Sequence, residues 1–214
     1  MAAYRRADNK ATRKPTRLKQ RFYHAPGRVS WRSDSPSGIR QAAVKGWPNI
    51  DVNMLKTRDG VSIGAHWMRP LRHGWVDPKG QLRRDAKLDQ ITYKTAARLK
   101  PRKAPSVRID TIETLLAVAA KHKIGVELEA KNAQWTQEQA DALKDLVDRL
   151  GVQVIVKTLS TNSHALHNLT VFHRAGFTTV LLPRGTRRIP RSWWPHVDKV
   201  RGPVIWTTPK GAKK

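Results

Sequence analysis

Two oxygen-bearing side chains and a histidine lie close together in the sequence, at a spacing that suits chemistry. Residues 50–54 alternate apolar and polar side chains, which predicts a strand with Asp51 and Asn53 on one face. A turn and a second predicted strand over residues 61–65 follow and end at His66. Oxygen ligands beside an imidazole that titrates near neutral pH indicate a site. The alternative is the exposed face of an edge hairpin with a surface histidine.

Polar side chains recur at the ends of other predicted strands. A strand over residues 21–23 leads to His24, and a strand over residues 124–130 carries Glu129 and leads into Lys131. If these strands run parallel, the polar groups at their ends converge on one rim of the sheet. Glu129 and Lys131 have the alternative of forming a purely structural ion pair.

Helices that alternate with the strands predict the fold. Apolar residues at helical spacing and capping residues predict helices over residues 37–45, 110–122, 136–151 and 163–175. Further strands are predicted over residues 152–156, 178–182, 197–200 and 204–207. This alternation is typical of an α/β fold with a parallel sheet. Up to eight strands favour a small (β/α)8 barrel of the TIM type, whose chemistry lies at the carboxyl ends of the strands.

The composition excludes several classes of protein. The 214 residues contain no cysteine, which excludes disulfides, thiolate metal sites and cysteine nucleophiles. No apolar run approaches the roughly 20 residues of a membrane span. Because the N-terminal residues also lack the apolar stretch of a secretory signal, we expect a soluble, cytoplasmic chain. The net charge of +26 predicts a polyanionic partner such as nucleic acid, an anionic membrane or a phosphodiester polymer.

Charge and periodicity also predict the domain organisation. Residues 1–20 carry seven Lys and Arg and one Asp without apolar periodicity, so we expect a flexible basic arm. Residues 21–208 should form the barrel domain, and residues 209–214 a basic tail. Within the domain, residues 67–106 are basic and almost without periodicity, apart from one helix near residues 92–99. A loop of this length predicts a binding loop or a lid.

The order of short motifs resembles that of the glycerophosphodiester phosphodiesterases, a branch of the phosphatidylinositol-specific phospholipase C-like barrels. The resemblance covers about residues 21–208. In the first half, the matching segments are Tyr23-His24-Ala25-Pro26-Gly27 at the family's His-Arg-Gly, Asp51-Val52-Asn53 at its Glu-x-Asp, Thr57-Arg58-Asp59-Gly60 at its Thr-x-Asp-Gly, and His66-Trp67 at its His-Asp. In the second half, they are Asp110-Thr111-Ile112-Glu113 at a helix start, Glu129-Ala130-Lys131 at its Glu-x-Lys, and Trp206-Thr207 at its terminal Trp-Thr.

Some positions depart from the family pattern. Ala25 replaces the arginine that follows the first histidine, and Ser33-Asp34-Ser35 stands at the family's Glu-Asn-Thr. Asp51 and Asn53 replace a glutamate and an aspartate, so one of the two carboxylates becomes an amide.

The resemblance implies a phosphoric diester hydrolase of lipid metabolism, with His24 and His66 as the general acid and base. It implies a divalent cation, Mg²⁺ or Ca²⁺, held by three oxygen ligands, namely Asp51, Asn53 and Glu129. Substrate contacts are expected from Lys131, which would steady a phosphate oxygen, from Arg28 in place of the missing arginine, and from Trp206. The expected substrate is a glycerophosphodiester or a related polymer such as teichoic acid.

A second function class stays open at this point. The chain could be a catalytically degenerate barrel that binds nucleic acid or another polyanion through its basic surface. The weakened metal ligands favour this alternative, whereas the two histidines, Glu129 and Lys131 favour the enzyme. Trp206 has the further alternative of being plain barrel core.

Overall fold

The computed structural model describes residues 34–131, 133–159, 164–182 and 191–200, together with three short strands over residues 16–17, 187–189 and 204–206. The α-helices are α1 (Pro36–Val44), α2 (Tyr93–Ala96), α3 (Ile112–Lys121), α4 (Gln137–Leu150) and α5 (Ala165–Arg174). The strands are β1 (Thr16–Arg17), β2 (Asn49–Lys56), β3 (Ser62–Gly64), β4 (Trp75–Val76), β5 (Lys100–Pro101), β6 (Gly125–Ala130), β7 (Val154–Leu159), β8 (Thr178–Leu182), β9 (Arg187–Ile189), β10 (Lys199–Val200) and β11 (Val204–Trp206). Short 3-10 helices cover Pro70–His73, Leu88–Gln90 and Arg191–His196.

A seven-stranded sheet forms the centre of the fold. Its strand order is β1-β10-β8-β7-β6-β2-β3, and every neighbouring pair is parallel except the hairpin of β2 and β3. Helices α3, α4 and α5 alternate with β6, β7 and β8 along the chain. The predicted α/β fold with a parallel sheet is therefore confirmed.

The helices cover one face of this sheet because their apolar stripes match it. Val52 of β2 and Leu128 of β6 belong to one buried cluster with Leu116 of α3, Leu143 of α4 and Phe172 of α5. Local sequence signals also determine where α4 begins and ends. Thr136 and the Gln139 side chain form a capping box at its start, and Gly151 ends it with a left-handed φ of 62°.

The opposite face of β2 is buried as well, which decides between the two interpretations of the hairpin. Asp51 is 4% exposed and Asn53 is 1% exposed. β2 lies between β6 and β3 and is not an edge strand. The polar residues of β2 therefore face the interior of the protein and need partners there.

The segment predicted to be a long loop or lid, residues 67–106, is a folded layer beside the sheet. It contains β4, β5 and α2, and it buries Trp75, Leu88 and Leu99 in a cluster of its own with Leu55 and Ile63 of the hairpin. Its short elements carry too few residues to show periodicity. The sequence therefore missed this layer because its core comes from contacts between segments, and not from one amphipathic helix.

Gly64 shows how tightly the hairpin packs against α3 and the residues before α1. A Cβ at this position would overlap Leu115 Cδ1 and would lie 3.1 Å from the Asp34 carbonyl oxygen. We expect Gly64→Ala to lower the free energy of unfolding by about 1–3 kcal/mol through overpacking. Urea denaturation measures it, with Ser62→Ala on the same strand as the control. Equal stability of the two variants would contradict this packing.

The predicted domain organisation and the predicted lack of a membrane span concern the chain as a whole. β1 lies within the segment predicted to be a flexible arm, and its two residues pair with β10 instead. The proposed domain boundaries stay a prediction. In the part of the chain that the structure describes, no helix is both long and apolar enough to cross a membrane.

Candidate active site

Strand register brings the predicted polar residues together on the face of the sheet away from the helices. Asp51 of β2 pairs with Glu127 of β6, and Asn53 pairs with Glu129. Glu129 pairs in turn with Lys157 of β7. All five side chains are buried. Alternation along each strand thus places a charged cluster on one face and the apolar core on the other.

Lys157 is the cation at the centre of this cluster. Its Nζ lies 2.7 Å from Asp51 Oδ2, 3.3 Å from Glu129 Oε2 and 3.4 Å from Glu127 Oε2. Burial by itself lowers the pKa of Lys157, but these three carboxylates outweigh it and hold the pKa above that of a free lysine. The ammonium therefore stays charged although the residue is only 2% exposed.

Asp34 and Asn53 form a second buried polar pair. The backbone N–H of Asn53 donates to Asp34 Oδ1 at 2.7 Å, and its Nδ2 donates to both carboxylate oxygens, at 3.0 and 3.1 Å. Burial raises the pKa of Asp34 to about 7, against the lowering effect of these hydrogen bonds and of Lys131. Asn53 is therefore committed to holding the segment before α1 against β2.

His66, Lys131 and Glu129 form a chain of contacts at the carboxyl ends of β3 and β6. Lys131 Nζ lies 3.3 Å from His66 Nδ1 and 3.4 Å from Glu129 Oε1. The His66 ring packs edge-on against Trp67, which stacks on His73 at a ring-centroid distance of 3.9 Å. The imidazole is thus held between a lysine and an aromatic ring.

A cleft opens beside this chain of contacts. Asp34, His66 and Trp67 line it together with Trp75 of the folded layer over residues 67–106. The cleft is narrow and places an imidazole, a buried carboxyl group and aromatic walls side by side.

Comparisons with known proteins give a match at the level of structure. No protein-family model and no curated protein matches the sequence. A protein of Silicibacter pomeroyi assigned as a glycerophosphoryl diester phosphodiesterase superposes with a TM-score of 0.58 at 16% identity, over 73% of this chain and 60% of that one. A phosphodiesterase of Oleispira antarctica gives 0.52 at 16% identity, over 84% and 69%. A protein of Galdieria sulphuraria assigned as a glycerophosphodiester phosphodiesterase gives 0.51 at 12% identity, over 87% and 93%.

The chain has the fold of the glycerophosphodiester phosphodiesterases. The barrel that the sequence motifs imply is therefore confirmed. The identities are low, so the likeness concerns the fold. This chain also spans only 60% of the length of the Silicibacter protein.

The structure brings together most of the residues that the phosphodiesterase motifs single out. Asp51, Asn53, His66, Glu129 and Lys131 meet at one end of β2 and β6. His24 and Arg28 lie outside the described residues, and Trp206 is described only as part of β11. The roles of all eight residues stay predictions.

Three site residues were missed by sequence reasoning: Asp34, Glu127 and Lys157. Glu127 stands two residues before Glu129 and so faces the same side of β6, which is a detectable signal. Lys157 interrupts the apolar run of β7, where an unpaired lysine would be costly. Asp34 carries no local signal, because its partner Asn53 is 19 residues away.

The residues assigned to a divalent cation do not fit one in this arrangement. Ca²⁺ binds oxygen at about 2.3–2.6 Å and Mg²⁺ at about 2.0–2.1 Å. Lys157 Nζ already lies between Asp51 and Glu129, and the other oxygen of Glu129 faces Lys131. A cation on these oxygens would contact an ammonium. The third assigned ligand, Asn53, donates from Nδ2 to Asp34, which leaves one neutral amide oxygen, the buried Oδ1 without a hydrogen-bond partner among the described residues, as its only possible contact with a cation.

Proposed function

We propose that this chain hydrolyses a phosphodiester of glycerol or a related alcohol in the cleft beside His66. One observation supports this most strongly: the contact between His66 and Lys131 at the carboxyl ends of β3 and β6, in the fold of the phosphodiesterases. The structure of the Oleispira phosphodiesterase contains sn-glycerol-3-phosphate as its product. We extend that class of substrate to this chain.

The contact with Lys131 assigns His66 a direction of proton transfer. An ammonium group only donates hydrogen bonds, so Nδ1 of His66 accepts and the neutral imidazole carries its proton on Nε2. Neutral imidazole is too weak an acid to protonate an alkoxide, so His66 acts as the general acid after it takes up a second proton on Nδ1 and loses the hydrogen bond from Lys131. The imidazolium then gives its Nε2 proton to the leaving alkoxide and returns to a neutral ring. His24 would be the base that takes a proton from the substrate's own hydroxyl. Attack of this hydroxyl forms a cyclic phosphate, which water opens in a second step.

Lys131 has a second role in this proposal. Its side chain is 13% exposed, whereas that of Lys157 is 3% exposed, so Lys131 is the lysine within reach of the cleft. An ammonium in a partly desolvated site stabilises the charge that develops on the non-bridging phosphate oxygens. None of these steps uses the divalent cation that the resemblance implies.

Turnover of small phosphodiesters tests the proposal. The full chain is incubated with bis-p-nitrophenyl phosphate and with glycerophosphocholine, and p-nitrophenol and glycerol phosphate are measured as the respective products. Each reaction is run with and without Mg²⁺ or Ca²⁺. We expect product from at least one substrate. A folded chain that releases no product from either under any of these conditions contradicts the proposal.

The folded layer over residues 67–106 supports a polymeric substrate. It carries eleven Lys and Arg and three Asp. Seven of its basic side chains are exposed, namely those of Arg72, Lys79, Arg83, Arg84, Lys94, Arg102 and Lys103. Arg72 and Arg84 line one groove on this layer. A basic surface next to the cleft would draw in a phosphodiester polymer such as teichoic acid.

We expect the double variant Arg72→Glu, Arg84→Glu to weaken binding of a teichoic acid polymer and to make its affinity less dependent on salt. Removing one phosphate–protein contact lowers the slope of log affinity against log salt by roughly 0.7–0.9. Turnover of glycerophosphocholine should change less than about twofold, because a substrate with one phosphate makes none of the additional contacts that a polymer makes with this groove, and the exposed charges are screened by salt. Titrations at several salt concentrations measure both effects.

The matched control is Lys121→Glu, Arg149→Glu, which makes the same change in charge. Both residues are exposed and lie in the last turns of α3 and α4, away from the carboxyl ends of the strands. Equal loss of polymer binding in the two variants would assign the binding to overall charge and not to the folded layer.

Binding of a polyanion without hydrolysis is the second candidate function. The commitment of Asn53 to Asp34 and the net charge of +26 favour it. Salt-dependent polymer binding by a chain that turns over no small phosphodiester would establish this alternative.

A further inference from the structure

Lys157 is an unusual residue for its position. It lies in the middle of β7, between the buried Val156 and Thr158, and is itself 2% exposed. Lysine is almost never buried to this degree unless it is paired. The energetic cost of placing it there indicates that the cluster around it requires a positive charge.

The requirement arises from the carboxylates on the two neighbouring strands. Asp51, Glu127 and Glu129 are all buried, and each has an oxygen within 3.4 Å of Lys157 Nζ. Three carboxylates this close to one another repel, and a cation placed between them offsets that repulsion. Lys157 reaches all three because it stands opposite Glu129 in the register of β6 and β7.

One position in the cluster departs from the phosphodiesterase motifs in its charge, and Lys157 shifts the charge of the cluster in the same direction. The motif places an aspartate where this chain has Asn53, which removes one negative charge from the site. Lys157 adds one positive charge. Lys131, on the other oxygen of Glu129, belongs to the Glu-x-Lys motif itself, so Lys157 is the ammonium group that the motifs do not account for.

We propose that Lys157 takes the place of the divalent cation in this chain, as a built-in counter-ion that assembles the acidic cluster without metal. The ammonium group contacts Asp51 and Glu129, two of the three ligands assigned to the cation, and so excludes the cation by position and by charge. The inference concerns the charge balance of the cluster and does not depend on turnover of any substrate.

Divalent-cation binding tests this inference on the intact chain. Ca²⁺, Mg²⁺ and Mn²⁺ are each titrated into the metal-free wild-type protein by calorimetry, and thermal unfolding is followed with and without each ion. We expect no one-to-one binding to the wild-type chain and no change in Tm beyond about 1 °C, since stabilisation requires binding to the folded state. One-to-one binding that Asp51→Asn abolishes would overturn the inference.

The variant Lys157→Met should gain what the wild-type chain lacks. Methionine has a similar length but no charge, so the three carboxylates become an oxygen site for a hard cation. We expect Ca²⁺ or Mn²⁺, at about 100-fold above its Kd, to raise the Tm of this variant by roughly 5 °C or more. Lys144→Met, which removes a lysine on the surface of α4 paired with Asp148, is the matched control and should show no response. A folded Lys157→Met chain that does not respond to any divalent cation contradicts the inference.

A second variant covers the case in which Lys157→Met does not fold. The double variant Asp51→Asn, Lys157→Met removes one charge of each sign and leaves Glu127 and Glu129 as carboxylate ligands. We expect it to fold and to bind Ca²⁺ or Mn²⁺ more weakly than a three-carboxylate site would. Absence of any cation binding in this folded double variant would show that Lys157 does not stand in a cation site.

Discussion

His66→Ala is expected to lower turnover of glycerophosphocholine, whose leaving alkoxide requires a proton, by about 10²–10⁴-fold, the usual contribution of a general acid or base. The loss should appear in kcat, because the imidazole donates its proton in the transition state and contributes little to binding the ground state. Steady-state kinetics at neutral pH measure both kcat and KM.

His122→Ala is the matched control for this prediction. His122 caps the C-terminus of α3, where its backbone N–H donates to the carbonyl oxygens of Val118 and Ala119. The helix ends there before β6 begins, at the opposite end of β6 from Lys131. Its replacement should leave kcat within about twofold, since surface substitutions away from a site have small effects. A folded His66→Ala chain that keeps wild-type kcat would remove His66 from the mechanism.

Lys131→Met separates the two proposed roles of Lys131, which are to orient His66 and to contact the substrate phosphate. Without the ammonium, Nδ1 of His66 loses its donor and the tautomer is no longer fixed. If Lys131 also steadies the phosphate, KM should rise together with the fall in kcat. The ratio of the two changes therefore distinguishes a residue that contacts substrate from one that only orients His66.

Asn53→Asp is expected to cost about 3 kcal/mol of unfolding free energy. The substitution places a second carboxylate within hydrogen-bond distance of Asp34, at a site where both residues are buried. Two carboxylates this close cannot both ionise without a large penalty. Urea denaturation at pH 8 measures the loss.

The phosphodiesterase motifs suggest how this loss can be restored. The family's Glu-Asn-Thr has an asparagine where this chain has Asp34, and its Glu-x-Asp has an aspartate where this chain has Asn53. The carboxyl and amide groups are therefore exchanged, and the hydrogen bonds of Asn53 to Asp34 show that the two positions meet. The double variant Asp34→Asn, Asn53→Asp should recover stability to within about 1 kcal/mol of wild type, since contacting sites are strongly non-additive.

Asn168→Asp provides the matched control. Asn168 is another fully buried asparagine, and its Nδ2 donates to the Ala133 carbonyl oxygen at 2.9 Å. Its replacement by aspartate should also destabilise the protein, but Asp34→Asn should not restore the loss, because Asp34 and Asn168 are not partners. Equal rescue of both variants, or no rescue of Asn53→Asp, would contradict the exchange.

The sequence by itself determined the elements that carry strong local signals. The alternation of Ile50, Asp51, Val52 and Asn53 predicts the two faces of β2, and both faces are found as predicted. The capping box at Thr136 predicts where α4 begins, because its hydrogen bonds join residues only three positions apart. Strand ends also indicated where Glu129 and Lys131 lie, since parallel strands present their carboxyl ends on the same side. His66 follows β3, which runs antiparallel to β2, so this rule does not account for its contact with Lys131.

Only the tertiary structure decided how the charges of the site are balanced. Asn53 and Glu129 have the character of metal ligands when each strand is considered alone, yet Asp34 and Lys157 bind them in the folded chain. Together with the contact of Lys157 with Asp51, these contacts join residues 19 to 106 positions apart in the sequence. They depend on the register of β2, β6 and β7, which no local period encodes. A lysine within an apolar run is a signal only once the carboxylates on neighbouring strands are known to face it, because the cost of burying a charge depends on its partners.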